Sequence, residues 1–90
     1  MWHTHSFVVF FKHSDELKVA FVSSKKVGNA VYRNKSRRLL RTLVLDKEKQ
    51  LKNGKYIFVA KSAIFERDFI TLKKDFKYAI KKLDLFEWIK

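Results

Sequence analysis

The sequence predicts a single α+β domain with helices packed on a small mixed β-sheet, in the order β-β-α-β-α. Three observations carry this. Runs rich in β-branched and aromatic residues recur at 6–12, 17–23 and 55–61. Apolar residues at helical spacing fill two other stretches, at Leu39, Leu40, Leu43, Val44 and Leu51, then at Phe69, Leu72, Phe76, Ala79, Ile80 and Leu83. Finally, 90 residues that are 47% hydrophobic suffice for one modest core and no more.

The elements follow in order. Residues 6–12, Ser-Phe-Val-Val-Phe-Phe-Lys, form a strand, and residues 17–23 form a second. The polar residues His13, Ser14, Asp15 and Glu16 between them suit a turn, so the two are expected to pair as an antiparallel hairpin. Residues 24–29 make a polar loop. A helix is expected from Ala30 to about Leu51, with Asn29 as its N-cap, since an Asn side chain accepts from the unpaired amides of a first turn. Asn53-Gly54 supplies a stop, and residues 55–61 a third strand. A strand–helix–strand unit of this length gives a parallel pair, so with the hairpin the sheet is mixed. The second helix spans 69–83. Phe86, Trp88 and Ile89 are expected to pack as a tail within 84–90, and residues 1–5 to fray. There is no linker or repeat, so 1–90 reads as one domain.

Composition narrows the function. No apolar run approaches the roughly 18 residues of a membrane span. Met1 to His5 lacks the pattern of a secretory signal. The absence of cysteine removes disulfides and thiolate metal sites and fits a cytoplasmic protein. The charge is lopsided: 21 Lys and Arg face nine Asp and Glu, for a net +12. Such an excess repels itself and points to a polyanionic partner.

The excess is concentrated. Lys25, Lys26, Arg33, Lys35, Arg37, Arg38 and Arg41 occur without one intervening acid. Arg33, Arg37 and Arg41 fall at i, i+4 and i+8, one stripe of a helix, with Asn34 and Arg38 in the adjacent row. Like charges so placed destabilise a free helix. A phosphate backbone offsets that cost, and the planar guanidinium can grip two oxygens of one phosphate. Before the helix, Gly28 permits close backbone approach, and Lys25 and Lys26 flank a helix start whose free amides favour anions. In the first strand, alternation puts Phe7, Val9 and Phe11 on one face and Val8, Phe10 and Lys12 on the other. If both helices cover one face, the opposite face presents an aromatic beside a lysine, a surface that can stack unpaired bases.

Other candidates are weaker. His3 and His5 have no third metal ligand in view, so no metal site is expected. No catalytic triad, carboxylate pair or metal-nuclease cluster stands out, so no catalytic residue is expected either. Glu66 and Asp68 suit the start of the second helix.

The stretch Ser24-Lys25-Lys26-Val27-Gly28-Asn29-Ala30-Val31-Tyr32-Arg33-Asn34-Lys35-Ser36-Arg37-Arg38-Leu39-Leu40-Arg41 closely resembles the signature of the bacterial ribonuclease P protein component. The resemblance extends over nearly the whole chain. It implies a left-handed βαβ crossover, like that of a small-subunit ribosomal protein domain and against the usual right-handed rule. It also implies an accessory subunit of an endoribonuclease whose RNA removes the 5′ leader of precursor tRNA, with Mg2+ serving that RNA. By the same resemblance the partners are the ribonuclease P RNA and the precursor tRNA leader, without a membrane, and the protein is a monomer within the complex. Arg33, Asn34, Lys35, Arg37, Arg38 and Arg41 would form the RNA-binding helix, joined by Lys25, Lys26 and Asn29, while Val8, Phe10 and Lys12 would line the leader cleft. Lys35 stands where the family usually has Arg, and Arg37 where it has Lys. The family usually opens with a basic helix bearing two aromatics that wall this cleft, whereas this sequence opens near the first long strand, so weaker leader binding is expected. Two rival readings are a ribosomal or general RNA-binding module, and a basic helix directed at acidic membrane or protein surfaces.

Overall fold

Residues 1–45 and 51–83 are described in the computed structural model. Their order is β1 (Trp2–His3), β2 (Phe7–Lys12), β3 (Leu17–Ser23), a short 3-10 helix (Lys25–Val27), α1 (Ala30–Leu45), β4 (Gly54–Ala60), a second 3-10 helix (Ser62–Glu66) and α2 (Phe69–Lys82). The predicted α+β class holds. Residues 46–50 and the tail with Phe86, Trp88 and Ile89 lie outside the described residues. Leu51, expected to end the first helix, is instead buried in an isolated β-bridge.

The sheet is mixed, with strand order β1-β2-β4-β3. The expected hairpin between the first two long strands therefore does not form. Instead β4 inserts between them, antiparallel to β2 and parallel to β3. The 13–16 turn accommodates this by holding the start of β4: the Gly54 amide donates to the Glu16 carbonyl at 3.1 Å, and Asn53 Nδ2 to the Asp15 carbonyl at 3.1 Å. Gly54 is required here. A Cβ at this position would lie 2.2 Å from Phe11 Cε2 and 2.9 Å from the Lys12 carbonyl oxygen. Burial explains the central place of β4. Tyr56, Phe58 and Ala60 are all buried, and the Phe58 ring lies 5.8–6.2 Å from those of Phe7, Phe21, Tyr56 and Phe76. A strand with that much aromatic area is best covered when it has neighbours on both sides.

Residues 1–5, expected to fray, carry β1, which pairs with β2 in the register Trp2↔Val9 and His3↔Val8. Thr4 secures the turn: its hydroxyl accepts from the Ser6 and Phe7 amides and donates to the Phe7 carbonyl at 2.9 Å. Lys61 Nζ donates to the Thr4 carbonyl at 2.6 Å.

Both helices pack on one face of the sheet. Leu40, Leu43 and Val44 of α1 and Leu72, Phe76, Ala79 and Ile80 of α2 share a cluster with Phe7, Val9, Tyr56, Phe58 and Ala60. Asp68 caps α2 by accepting from the Thr71 amide at 2.8 Å. Hydrogen bonds from the Thr71 side chain and from its amide hold the Asp68 carboxyl below the usual carboxylate range. Glu66 closes the second 3-10 helix rather than opening α2.

Candidate nucleic-acid interface

The loop before α1 is built to start a helix and leave cations outside. Lys25–Val27 forms one 3-10 turn, closed by the Val27 amide donating to the Ser24 carbonyl at 3.1 Å, and Lys25 and Lys26 are exposed. Gly28 then takes φ +136°, a region that favours glycine. Asn29 caps as expected: its Oδ1 accepts from the Tyr32 amide at 3.2 Å, and its carbonyl accepts from the Arg33 amide at 3.0 Å.

Along α1 the buried stripe is Ser36, Leu40, Leu43 and Val44. Ser36 ties the helix to the end of β3. Its Oγ lies 2.7 Å from the Arg33 carbonyl oxygen and 2.9 Å from Ser23 Oγ, so one hydroxyl donates to the carbonyl and accepts from the other serine. This anchoring sets the rotation of the helix. Arg33, Arg37 and Arg41 then run along one flank, and Arg41 stands over the Phe21 ring of β3 at 5.8 Å. Arg37 donates to Asn34 Oδ1, which steadies the guanidinium without neutralising it. Among the described residues the ion pairs are Lys18–Glu16 and Arg67–Asp75, with His5 Nε2 3.7 Å from Glu66 Oε1, and none of these contacts involves a cation of α1.

Lys35 departs from this stripe. It is two residues from both Arg33 and Arg37, about 200° around the helix. Its Nζ stands 5.8 Å above the ring of Phe65 in the second 3-10 helix. The cations thus border α1 on both sides, with Asn34 and Arg38 exposed between them.

The face of the sheet opposite the helices is open. The register aligns Phe10, Ile57 and Ala20 in one row, and Lys12, Lys55 and Lys18 in the next. Phe10 is 41% exposed among these neighbours. Val8 shares this face but is only 8% exposed, so it presents far less surface than its strand alternation suggested. The lysine row was not legible beforehand, because it exists only when β4 lies between β2 and β3. Sequence reading also passed over Tyr32 and Phe65, which meet from positions far apart in the chain. Among the described residues no group of three or more His, Cys, Asp or Glu side chains could hold a metal ion, and no helix is long and apolar enough to cross a membrane.

The family model for ribonuclease P matches residues 1–84. The chain belongs to the ribonuclease P protein family. A ribonuclease P protein component from Nitratiruptor is 33% identical over 87 residues, covering 97% of this chain and 80% of the relative. The ribonuclease P protein of Staphylococcus aureus superposes with a TM-score of 0.82 at 22% identity, over 96% of this chain and 82% of that one. That of Thermotoga maritima gives 0.76 at 25% identity, over 90% and 80%. The structural likenesses bear on the fold, and the sequence relatives on the family. As a family member the chain is the protein subunit of ribonuclease P, a ribonucleoprotein enzyme of tRNA processing.

Proposed function

We propose that this family member holds the ribonuclease P RNA through α1 and the loop before it, and receives the 5′ leader of precursor tRNA on the open face of the sheet. The observation that carries the reading is the flank of Arg33, Arg37 and Arg41, whose charges meet no carboxylate among the described residues. Successive guanidinium groups lie about 6 Å apart along the axis. That spacing sets them along a polyphosphate strand, each able to grip phosphate oxygens in a fork. Arg38, Asn34, Lys25 and Lys26 extend the contact, while Asn29 serves by fixing the helix start. On the open face Phe10 stacks a leader base, and Lys12 takes a phosphate, joined by Lys55 and Lys18 in the same row.

In this reading the protein supplies charge neutralisation and positioning, the RNA performs the hydrolysis, and Mg2+ serves the RNA. The protein acts as a monomer in the complex, in the cytoplasm. The test is reconstitution of the full chain with a bacterial ribonuclease P RNA and a precursor tRNA at low magnesium. Stimulated removal of the leader is expected. Binding to ribosomal RNA without stimulation, or lipid binding that survives excess RNA, would overturn the reading.

A further inference from the structure

Tyr32 and Phe65 form an exposed aromatic step beside the basic helix. Tyr32 lies on the first turn of α1, and Phe65 on the second 3-10 helix. Their ring centroids are 5.9 Å apart at an interplanar angle of 65°. Tyr32 is 52% exposed and Phe65 37% exposed, although both are large aromatics. Neither ring completes the core, because Ile64 beside Phe65 is fully buried and fills that role.

Both rings are held in place. The Tyr32 amide is pinned by the Asn29 cap at 3.2 Å. Gly28 packs beneath it so closely that a Cβ there would lie 3.2 Å from Tyr32 Cβ and 3.3 Å from Cδ2. Buried Ile64 anchors the Phe65 segment, its amide donating to the Lys61 carbonyl at 3.0 Å. The two 3-10 helices also pack against each other. The step is therefore ordered before any partner arrives, which lowers the entropy lost on binding.

Its surroundings select the partner. Lys35 Nζ stands 5.8 Å over the Phe65 ring, and Lys25 and Lys26 are exposed on the adjoining 3-10 helix. The neighbouring acid, Glu66, has its Oε1 3.7 Å from His5 Nε2. An aromatic surface framed by cations matches a base attached to a phosphate backbone. We infer that Tyr32 and Phe65 form a stacking site for one unpaired nucleobase of the RNA bound along α1, with Lys35 meeting the adjacent phosphate. This rests on the RNA-binding reading of α1, which it deepens by adding a base contact to the phosphate contacts.

Stacking and charge separate by salt. A lost phosphate contact lowers the salt slope of binding, whereas a lost stack weakens binding at every salt concentration. The first experiment measures binding of a Tyr32→Leu/Phe65→Leu double variant of the full chain to a bacterial ribonuclease P RNA transcript across a salt series. Affinity is expected to fall roughly 5- to 100-fold with the slope unchanged. The second uses the unaltered protein, so folding of a variant does not enter. It is photocrosslinked to the same RNA carrying iodouridine and mapped by mass spectrometry, and adducts at Tyr32 or Phe65 are expected. Affinity within twofold of the parent, or no adduct at either ring, would overturn the site. If the double variant binds normally while Arg37→Gln binds weakly, only this inference fails. If the parent protein does not bind the RNA at all, it is the reading of α1 that fails.

Discussion

Replacing Arg33, Arg37 and Arg41 together by glutamine tests the basic flank most directly. The three side chains meet no carboxylate among the described residues, so removing them orphans no buried partner. Glutamine keeps good helix propensity. The 33–37 and 37–41 pairs are like-charged at i, i+4, and relieving both contributes about 0.4–1 kcal/mol. That offsets the lost Arg41–Phe21 and Arg37–Asn34 contacts, so stability should stay within about 1 kcal/mol of the parent. Weaker RNA binding could not then be blamed on a damaged fold. Each lost phosphate contact lowers the salt slope by about 0.7 to 0.9, so three lower it by roughly 2 to 3. Between about 50 and 200 mM salt, the affinity gap between parent and variant should then close by roughly 20- to 40-fold. Titration of labelled ribonuclease P RNA by fluorescence anisotropy over that range reads the slope, and thermal unfolding reads the stability. A gap that stays constant with salt would refute the claim that these arginines neutralise phosphates.

Gly54→Ala should destabilise the fold by about 1–3 kcal/mol in denaturant titration, because the added methyl meets the Phe11 ring and the Lys12 carbonyl. Phe58→Ala should cost about 3–5 kcal/mol by the same measurement, since it empties the centre of the aromatic cluster. Burial pushes the Tyr56 phenol up to about 12, and its hydroxyl donates to the Lys52 carbonyl at 2.6 Å. The unfolded chain loses this proton near pH 10 and the folded chain near pH 12. Tyr56 therefore stabilises fully below about pH 10, and that stability is lost as pH rises towards 12. A Tyr56→Phe variant should show a shallower alkaline decline in melting temperature. Asp68→Ala should lower the melting temperature at neutral pH, and the difference should vanish as acid protonates the capping carboxylate of the parent, below its unfolded pKa near 4.

The sequence by itself determined whatever depends on local geometry. Strand alternation and helical spacing are properties of a few consecutive residues, so the three long strands, both helices and the Asn29 cap were legible. So was the arginine stripe, because i, i+4 spacing fixes side-chain direction wherever the helix finally docks. Strand pairing and the meeting of distant side chains belong to the tertiary structure alone. A hairpin between the first two long strands satisfied every local rule. It lost because β4 carries the buried aromatics and gains most when flanked on both sides. That one insertion aligned Lys12, Lys55 and Lys18 across the open face. The docking of the second 3-10 helix beside α1 brought Phe65 to Tyr32 and under Lys35, which helical spacing had already set apart from the arginines. The physical reason is that burial is shared by the whole chain, and no short window of sequence records how that competition is decided.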